Sequence, residues 1–263
     1  MRILAAGSLR QPFTLWQQAL IQQYHLQVEI EFGPAGLLCQ RIEQGEKVDL
    51  FASANDAHLR HLQARYPHIQ LVPFATNRLC LIAKKSVITH HDENWLTLLM
   101  SPHLRLGVST PKADPCGDYT LALFSNIEKR HMGYGSELKE KAMAIVGGPD
   151  SITIPTGRNT AEWLFEQNYA DLFIGYASNH QSLRQHSDIC VLDIPDEYNV
   201  RANYTLAAFT AEALRLVDSL LCLTCGQKIF TRLRLFACQS YLMNSLDIIN
   251  YKIYGYITHA RIT

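Results

Sequence analysis

Arg2-Ile-Leu-Ala-Ala-Gly-Ser-Leu9 and Val28-Glu-Ile-Glu-Phe-Gly-Pro-Ala-Gly-Leu37 are the two stretches whose reading decides the fold. Each is a short apolar strand that stops at Gly, Ser, Ala or Pro and runs into a helical pattern, over Phe13–Tyr24 and Leu38–Glu43. A strand-to-helix turn of this kind leaves the first N–H groups of the helix unpaired, facing whatever lies off the strand end. Two such turns side by side would form a cradle for an anion.

The same alternation continues. Val48–Ala54 reads as a buried parallel strand, with a helix from Asn55 to about His61; Leu71–Phe74 and Arg78–Ala83 are two further strands. Trp95–Met100 is a short helix and Arg105–Ser109 a strand. Helices follow over about Tyr119–Arg130 and Ser136–Val146. Asp150–Ile154 reads as a strand, Thr160–Gln167 as a helix and Asp171–Tyr176 as a buried strand. Ile189–Ile194 and Ala202–Ala208 are late strands before a helix over Glu212–Arg232. Strands alternating with helices predict an α/β fold with a mainly parallel sheet in each of two lobes. One lobe is placed at 1–83 plus 196–237 and the other at 84–195, with 238–263 as an atypical, Tyr- and Ile-rich C-terminal extension.

At 263 residues the chain can bury a full core. Lys plus Arg and Asp plus Glu are both 24, so no net field attracts nucleic acid or anionic lipid. A bound anion must then be held mainly by dipoles and hydroxyls. No run approaches the roughly 20 apolar residues of a membrane helix. Met1-Arg2-Ile-Leu leads directly into the first strand, so no secretory signal is read. The seven cysteines lack framework spacing and fit reduced thiols, which reads as cytosolic.

Four strand ends carry turn chemistry: Gly7-Ser8, Gly33-Pro-Ala-Gly36, Asp114-Pro-Cys-Gly117 and Thr156-Gly-Arg-Asn159. Open α/β sheets place ligands at the carboxyl ends of their strands, where converging N–H groups and a hydroxyl such as that of Ser8 can hold a tetrahedral oxyanion. Taken singly, each is an ordinary tight connection; taken together, they suggest a site. Cys222-Leu-Thr-Cys225 sits in an apolar helical pattern and reads as core packing, and His90-His-Asp-Glu93 as a solvated loop. Cys116 lacks a visible base, and Gly133-Tyr-Gly135 lacks the third glycine of a dinucleotide loop.

Ala5-Ala-Gly-Ser-Leu9, Phe32-Gly-Pro-Ala-Gly-Leu37 and Ile42–Ala54, followed in order by Asp114-Pro-Cys-Gly, Gly157-Arg-Asn and Ile174-Gly-Tyr-Ala-Ser, resemble the molybdate-binding proteins of ABC importers over about residues 2–232. The resemblance implies a two-lobed periplasmic-binding-protein fold of type II that closes its interlobe cleft on molybdate or tungstate and delivers the ion to an ABC transporter permease. It also implies a periplasmic monomer that needs no cofactor and is not an enzyme. By the same resemblance Ser8 gives its hydroxyl and N–H to the anion, and Ala35 gives only the N–H where the family usually has a second serine. Cys116 and Gly157 give backbone N–H groups, and the Tyr176 hydroxyl closes the site. Read from the residues alone, Arg158 is a direct anion ligand, a lobe-closing residue or a surface cation, and Asp114 stands behind the site as a turn or helix cap. The Asp-Pro-Cys-Gly string also resembles a tungstate-binding branch in which carboxylates complete a six-coordinate metal. That branch has a glutamate where Gly175 stands here, so a tetrahedral anion is preferred. A cytosolic oxyanion sensor, and an enzyme using Cys116, remain as alternatives at this point.

Overall fold

The computed structural model describes residues 1–88, 94–179, 183, 186–221 and 236–237. The Cys222-Leu-Thr-Cys225 and His90-His-Asp-Glu93 readings, the last turns of the helix expected to reach Arg232, and the extension 238–263 lie outside them.

Two sheets organise the chain. The first has the order β11-β4-β10-β3-β1-β2, built from β1 (Arg2–Ala6), β2 (Glu29–Gly33), β3 (Leu50–Ser53), β4 (Gln70–Asn77), β10 (Ala202–Ala208) and β11 (Phe236–Ala237). It is covered by α1 (Arg10–Tyr24), α2 (Ala35–Glu43), α3 (Asp56–Arg65) and α8 (Ala211–Leu221). The second has the order β7-β6-β8-β5-β9, from β5 (Leu79–Lys84), β6 (Leu106–Ser109), β7 (Met143–Val146), β8 (Leu172–Tyr176) and β9 (Ile189–Asp193). Its helices are α4 (Trp95–Met100), α5 (Pro115–Arg130), α6 (Tyr134–Lys141) and α7 (Thr160–Glu166).

The α/β class is as expected, but the sheets are mixed rather than mainly parallel. β1 pairs in parallel with β2 and β3, and β6 with β7 and β8. β10 runs antiparallel to β3 and β4, and β5 antiparallel to β8 and β9. The antiparallel strands are those flanking the passages between lobes, which arrive without a helical crossover and so need not run parallel.

Three element boundaries differ from the sequence reading. The first passage between sheets falls at Arg78, so β5 belongs to the second sheet and not to the first lobe. The expected helix over Ser136–Val146 stops at Lys141. Ala142 turns extended, with ψ 126°, and Met143-Ala-Ile-Val146 adds an edge strand beside β6. Asp150–Ile154 is not a strand; a single bond from Ile152 N to Ile145 O lays it along β7 without a ladder.

Burial explains why these segments hold. Ile3, Leu4, Phe13, Trp16, Leu50 and Phe51 are fully enclosed in the first lobe, and Leu106, Leu123, Phe124 and Ile127 join the same continuous core from the second. Cys80, Ile82, Leu164, Phe165 and Phe173 form a smaller core behind the second sheet. Cys39, Cys80 and Cys116 are buried free thiols.

Candidate functional site

β1 ends at Ala6 and a 3-10 turn over Gly7–Leu9 feeds α1; β2 ends at Gly33 and Pro34 precedes α2. The two turns touch, since a Cβ on Gly7 would stand 3.9 Å from Gly33 O. Neither start has a side-chain cap, whereas Asn55, Asp114 and Asn159 cap α3, α5 and α7. The first N–H groups of α1 and α2 therefore draw on no side chain; Arg10 N bonds Gly7 O and Gly36 N bonds Ala113 O at 2.9 Å. Ser8 is half-buried there and Ala35 fully buried.

A second hydroxyl meets Ser8 from a strand that carried no motif. Tyr204, fully buried on β10, donates from its hydroxyl to Ser8 Oγ at 3.0 Å. The Tyr204 oxygen accepts from Asn77 Nδ2 at 3.3 Å, and that amide also donates to Ser178 Oγ at 2.9 Å. The β4–β10 ladder shifts register between Tyr204 and Thr205, where Phe74 of β4 is the extra residue of a bulge. Tyr176, the last residue of β8, is 5% exposed and lies opposite Leu79 at the start of the passage between lobes. Its ring stands 6.0 Å from that of Tyr204, and its hydroxyl is buried without a hydrogen-bond partner. Burial is the leading cause that pushes both phenols well above their ordinary range, so both remain neutral hydrogen-bond donors.

The second lobe contributes Asp114, the N-cap of α5, whose Oδ1 accepts from Cys116 N at 3.0 Å. The Cys116 N–H expected to face an anion is therefore already committed, because the capping carboxylate takes it. Desolvation raises the Asp114 carboxyl to about 6, against the opposing pull of the Cys116 N–H and the Ser109 hydroxyl. Gly147, at φ +78°, leaves it room: a Cβ there would lie 2.7 Å from Asp114 Oδ2. The Cys116 thiol is buried, donates to Ile174 O at 3.7 Å, and is raised well above the ordinary thiol range by burial and then by Asp114. A thiol held neutral in this way is a poor nucleophile, which removes the basis for the cysteine-enzyme alternative.

Gly157 and Arg158 are not brought into this group. Gly157 is exposed at φ +85° with open space around its α-carbon. Arg158 is paired with Glu162 at 3.3 Å and with Glu166, both on the helix it precedes, because spacings of four and eight residues put all three on one face. Sequence reasoning missed Tyr204, Asn77 and Tyr119. Tyr119 reaches from α5 to donate to Ala54 O at 3.0 Å, and it accepts from Asn203 N at 3.2 Å. Tyr119 follows the Asp-Pro-Cys-Gly string by two residues and could have been suspected from it; Tyr204 had no local signal.

The site thus brings the neutral hydroxyls of Ser8 and Tyr204 near an unsatisfied phenol at Tyr176, with no metal-holding group of three or more His, Cys, Asp or Glu among the described residues. A family model described as bacterial extracellular solute-binding protein matches residues 1–231. An uncharacterized protein of Pasteurella multocida (strain Pm70) is 97% identical over 228 residues, covering 87% of this chain and 95% of its own length. Among solved structures, the periplasmic molybdate-binding protein of Azotobacter vinelandii superposes with TM-score 0.70 at 15% identity, covering 91% of this chain and 100% of its own. The sulfate-binding protein of Mycobacterium tuberculosis superposes with TM-score 0.69 at 13% identity, covering 91% and 87%. Both likenesses establish the fold, that of type II periplasmic binding proteins.

Proposed function

The chain belongs to the bacterial extracellular solute-binding proteins, and from that premise we propose that it captures molybdate or tungstate in its interlobe cleft and hands it to an ABC-type permease. Family members carry a ligand and work with a permease; they are not enzymes. The observation that carries the choice of an oxyanion is the Tyr176 hydroxyl, buried without a partner beside Tyr204, whose own hydroxyl meets Ser8 at the turn before α1. A buried donor left unpaired costs about 1–3 kcal/mol, a cost that an acceptor oxygen placed in the cleft relieves.

Ser8 and Tyr176 supply hydroxyls in this reading, and the turn at Gly7–Leu9 and the N–H of Ala35 supply backbone donors. With neutral donors, closing the cleft strengthens each bond by excluding water without burying a compensating cation. Ala35 offers no hydroxyl, so the second turn contributes backbone alone. Sulfate offers the same four acceptor oxygens on a smaller sphere, and selection against it falls to cavity size. The protein acts as a periplasmic monomer in this account.

Isothermal titration with molybdate, tungstate, sulfate and phosphate tests the proposal. One-to-one binding of molybdate or tungstate with sulfate silent is the expected result. Preference for sulfate, or no binding by the folded protein, would overturn it.

A further inference from the structure

Two of the contacts between the lobes come from the same segment of the second lobe, residues 112–119. At the first, Gly36 N donates across the cleft to Ala113 O at 2.9 Å. The approach is closer than any side chain permits: a Cβ on Gly36 would stand 2.1 Å from Lys112 O and 2.6 Å from Ala113 O. Both obstacles are backbone, so neither can swing aside. Lys112 itself holds φ +67°, a left-handed conformation uncommon outside glycine, and its N–H is tied to Asp118 Oδ1 at 2.8 Å. The loop is thus braced against α5, with its carbonyls turned toward α2. At the second point, the Tyr119 hydroxyl bridges Ala54 O and Asn203 N, at 3.0 and 3.2 Å.

We propose that Gly36 is a specificity-determining residue: its backbone contact with Lys112 and Ala113 is the stop that sets how far the lobes close and so which size of oxyanion the cleft retains. This rests on the oxyanion reading given above. A hinged cleft grips an ion only if the two walls meet at a fixed depth, and a packed backbone-on-backbone contact is a stiffer gauge than a side chain. Tyr119 is a positioning residue in the same device, tying the same segment to Ala54 and Asn203 of the first lobe. The Gly36 N–H also changes role: although it lies at a helix start, it fastens the lobes instead of binding the ligand.

The test uses the full chain and two variants. Gly36→Ala inserts one methyl at the stop, and Tyr119→Phe removes two hydrogen bonds without adding volume. Stopped-flow dissociation and equilibrium titration are run with molybdate and sulfate, together with hydrogen exchange of the peptides covering 34–38 and 111–116 in the unliganded protein. For Gly36→Ala we expect molybdate to leave about tenfold faster, the molybdate-to-sulfate preference to shrink, and exchange protection to fall at both peptides with thermal stability nearly kept. Tyr119→Phe should speed release in the same direction. If the wild type binds an oxyanion but both variants keep its release rate and its preference, the inference is overturned. A wild type that binds none of the anions overturns the oxyanion reading itself, and it does so in the titration before either variant is made.

Discussion

Tyr176 and Tyr204 stand with ring centroids 6.0 Å apart and planes inclined by 57°, yet of the two only Tyr204 has partners for its hydroxyl. Both are enclosed at the meeting of the lobes, and the chain pays for this asymmetry at Tyr176. Removing that oxygen should therefore move stability and binding in opposite directions. Tyr176→Phe is expected to melt higher, by the equivalent of about 1 kcal/mol, and to bind molybdate more weakly by roughly 1–3 kcal/mol. Calorimetry and titration on one preparation decide it. A less stable variant with unchanged affinity would make Tyr176 a packing residue.

Ser8 stands differently, because its oxygen already accepts from Tyr204. Ser8→Ala removes both that acceptor and the hydroxyl assigned to the anion, while Tyr204 keeps its bond from Asn77. Half-buried in a short turn, Ser8 contributes little to the core. We expect affinity to fall by roughly 1–3 kcal/mol with the folded circular dichroism spectrum intact. Equal affinity would mean that the cradle is elsewhere.

The sequence carried the strand-turn-helix units because their signals are local: an apolar run, then Gly or Ser, then helical spacing. β1 with Gly7–Leu9 and β2 with Pro34 could be read residue by residue. Pairing direction could not, since β10 owes its antiparallel place to the path between lobes and not to its own composition. For the same reason Tyr204 was invisible: 196 residues separate it from Ser8, and only the antiparallel place of β10 in the sheet brings the two hydroxyls together. Cys116 misled in the other direction. The Asp-Pro-Cys-Gly string gave the helix start, but whether its N–H faces a ligand depended on Asp114 folding back as its cap.

Asp171 supplies a contrast away from the cleft. It accepts from Arg105 N at 3.0 Å and Nε at 2.9 Å and from Lys84 Nζ at 3.1 Å, tying the starts of β6 and β8 to the end of β5. The Arg105 hydrogen bond is the main reason its carboxyl is held far below the usual range. A depressed carboxyl stabilises the fold above its unfolded pKa of about 4, and that support is lost as pH falls below it. Because the guanidinium is 40% exposed, screening reduces the gain, and Asp171→Asn should cost about 1–2 kcal/mol at pH 7. Molybdate affinity should not change. A loss of binding in this variant would mean that the second lobe transmits strain from its base to the cleft.

Asp114 titrates with the opposite sign. Its carboxyl is raised from 3.8 to about 6, first by burial and further by Asp118, so the folded protein holds this proton more tightly than the unfolded chain does. Its stabilising contribution is complete below about pH 4 and is lost as pH rises through 6. Burying the charged form then costs on the order of 3 kcal/mol at pH 7. Asparagine keeps an oxygen to cap Cys116 N and carries no charge. Asp114→Asn is accordingly expected to be more stable than the wild type at pH 7, and to lack the wild type's decline in stability between pH 4 and 6. The same carboxylate repels a dianion in the cleft. Wild-type affinity for molybdate should therefore rise as pH is lowered from 8 toward 6, while the asparagine variant binds more tightly at pH 8 and shows no such rise. Denaturation curves and titrations across this range separate the two effects. If the pH dependence of stability disappears in the variant but that of binding persists, the carboxylate is a cap alone and another group carries the proton linkage of the site.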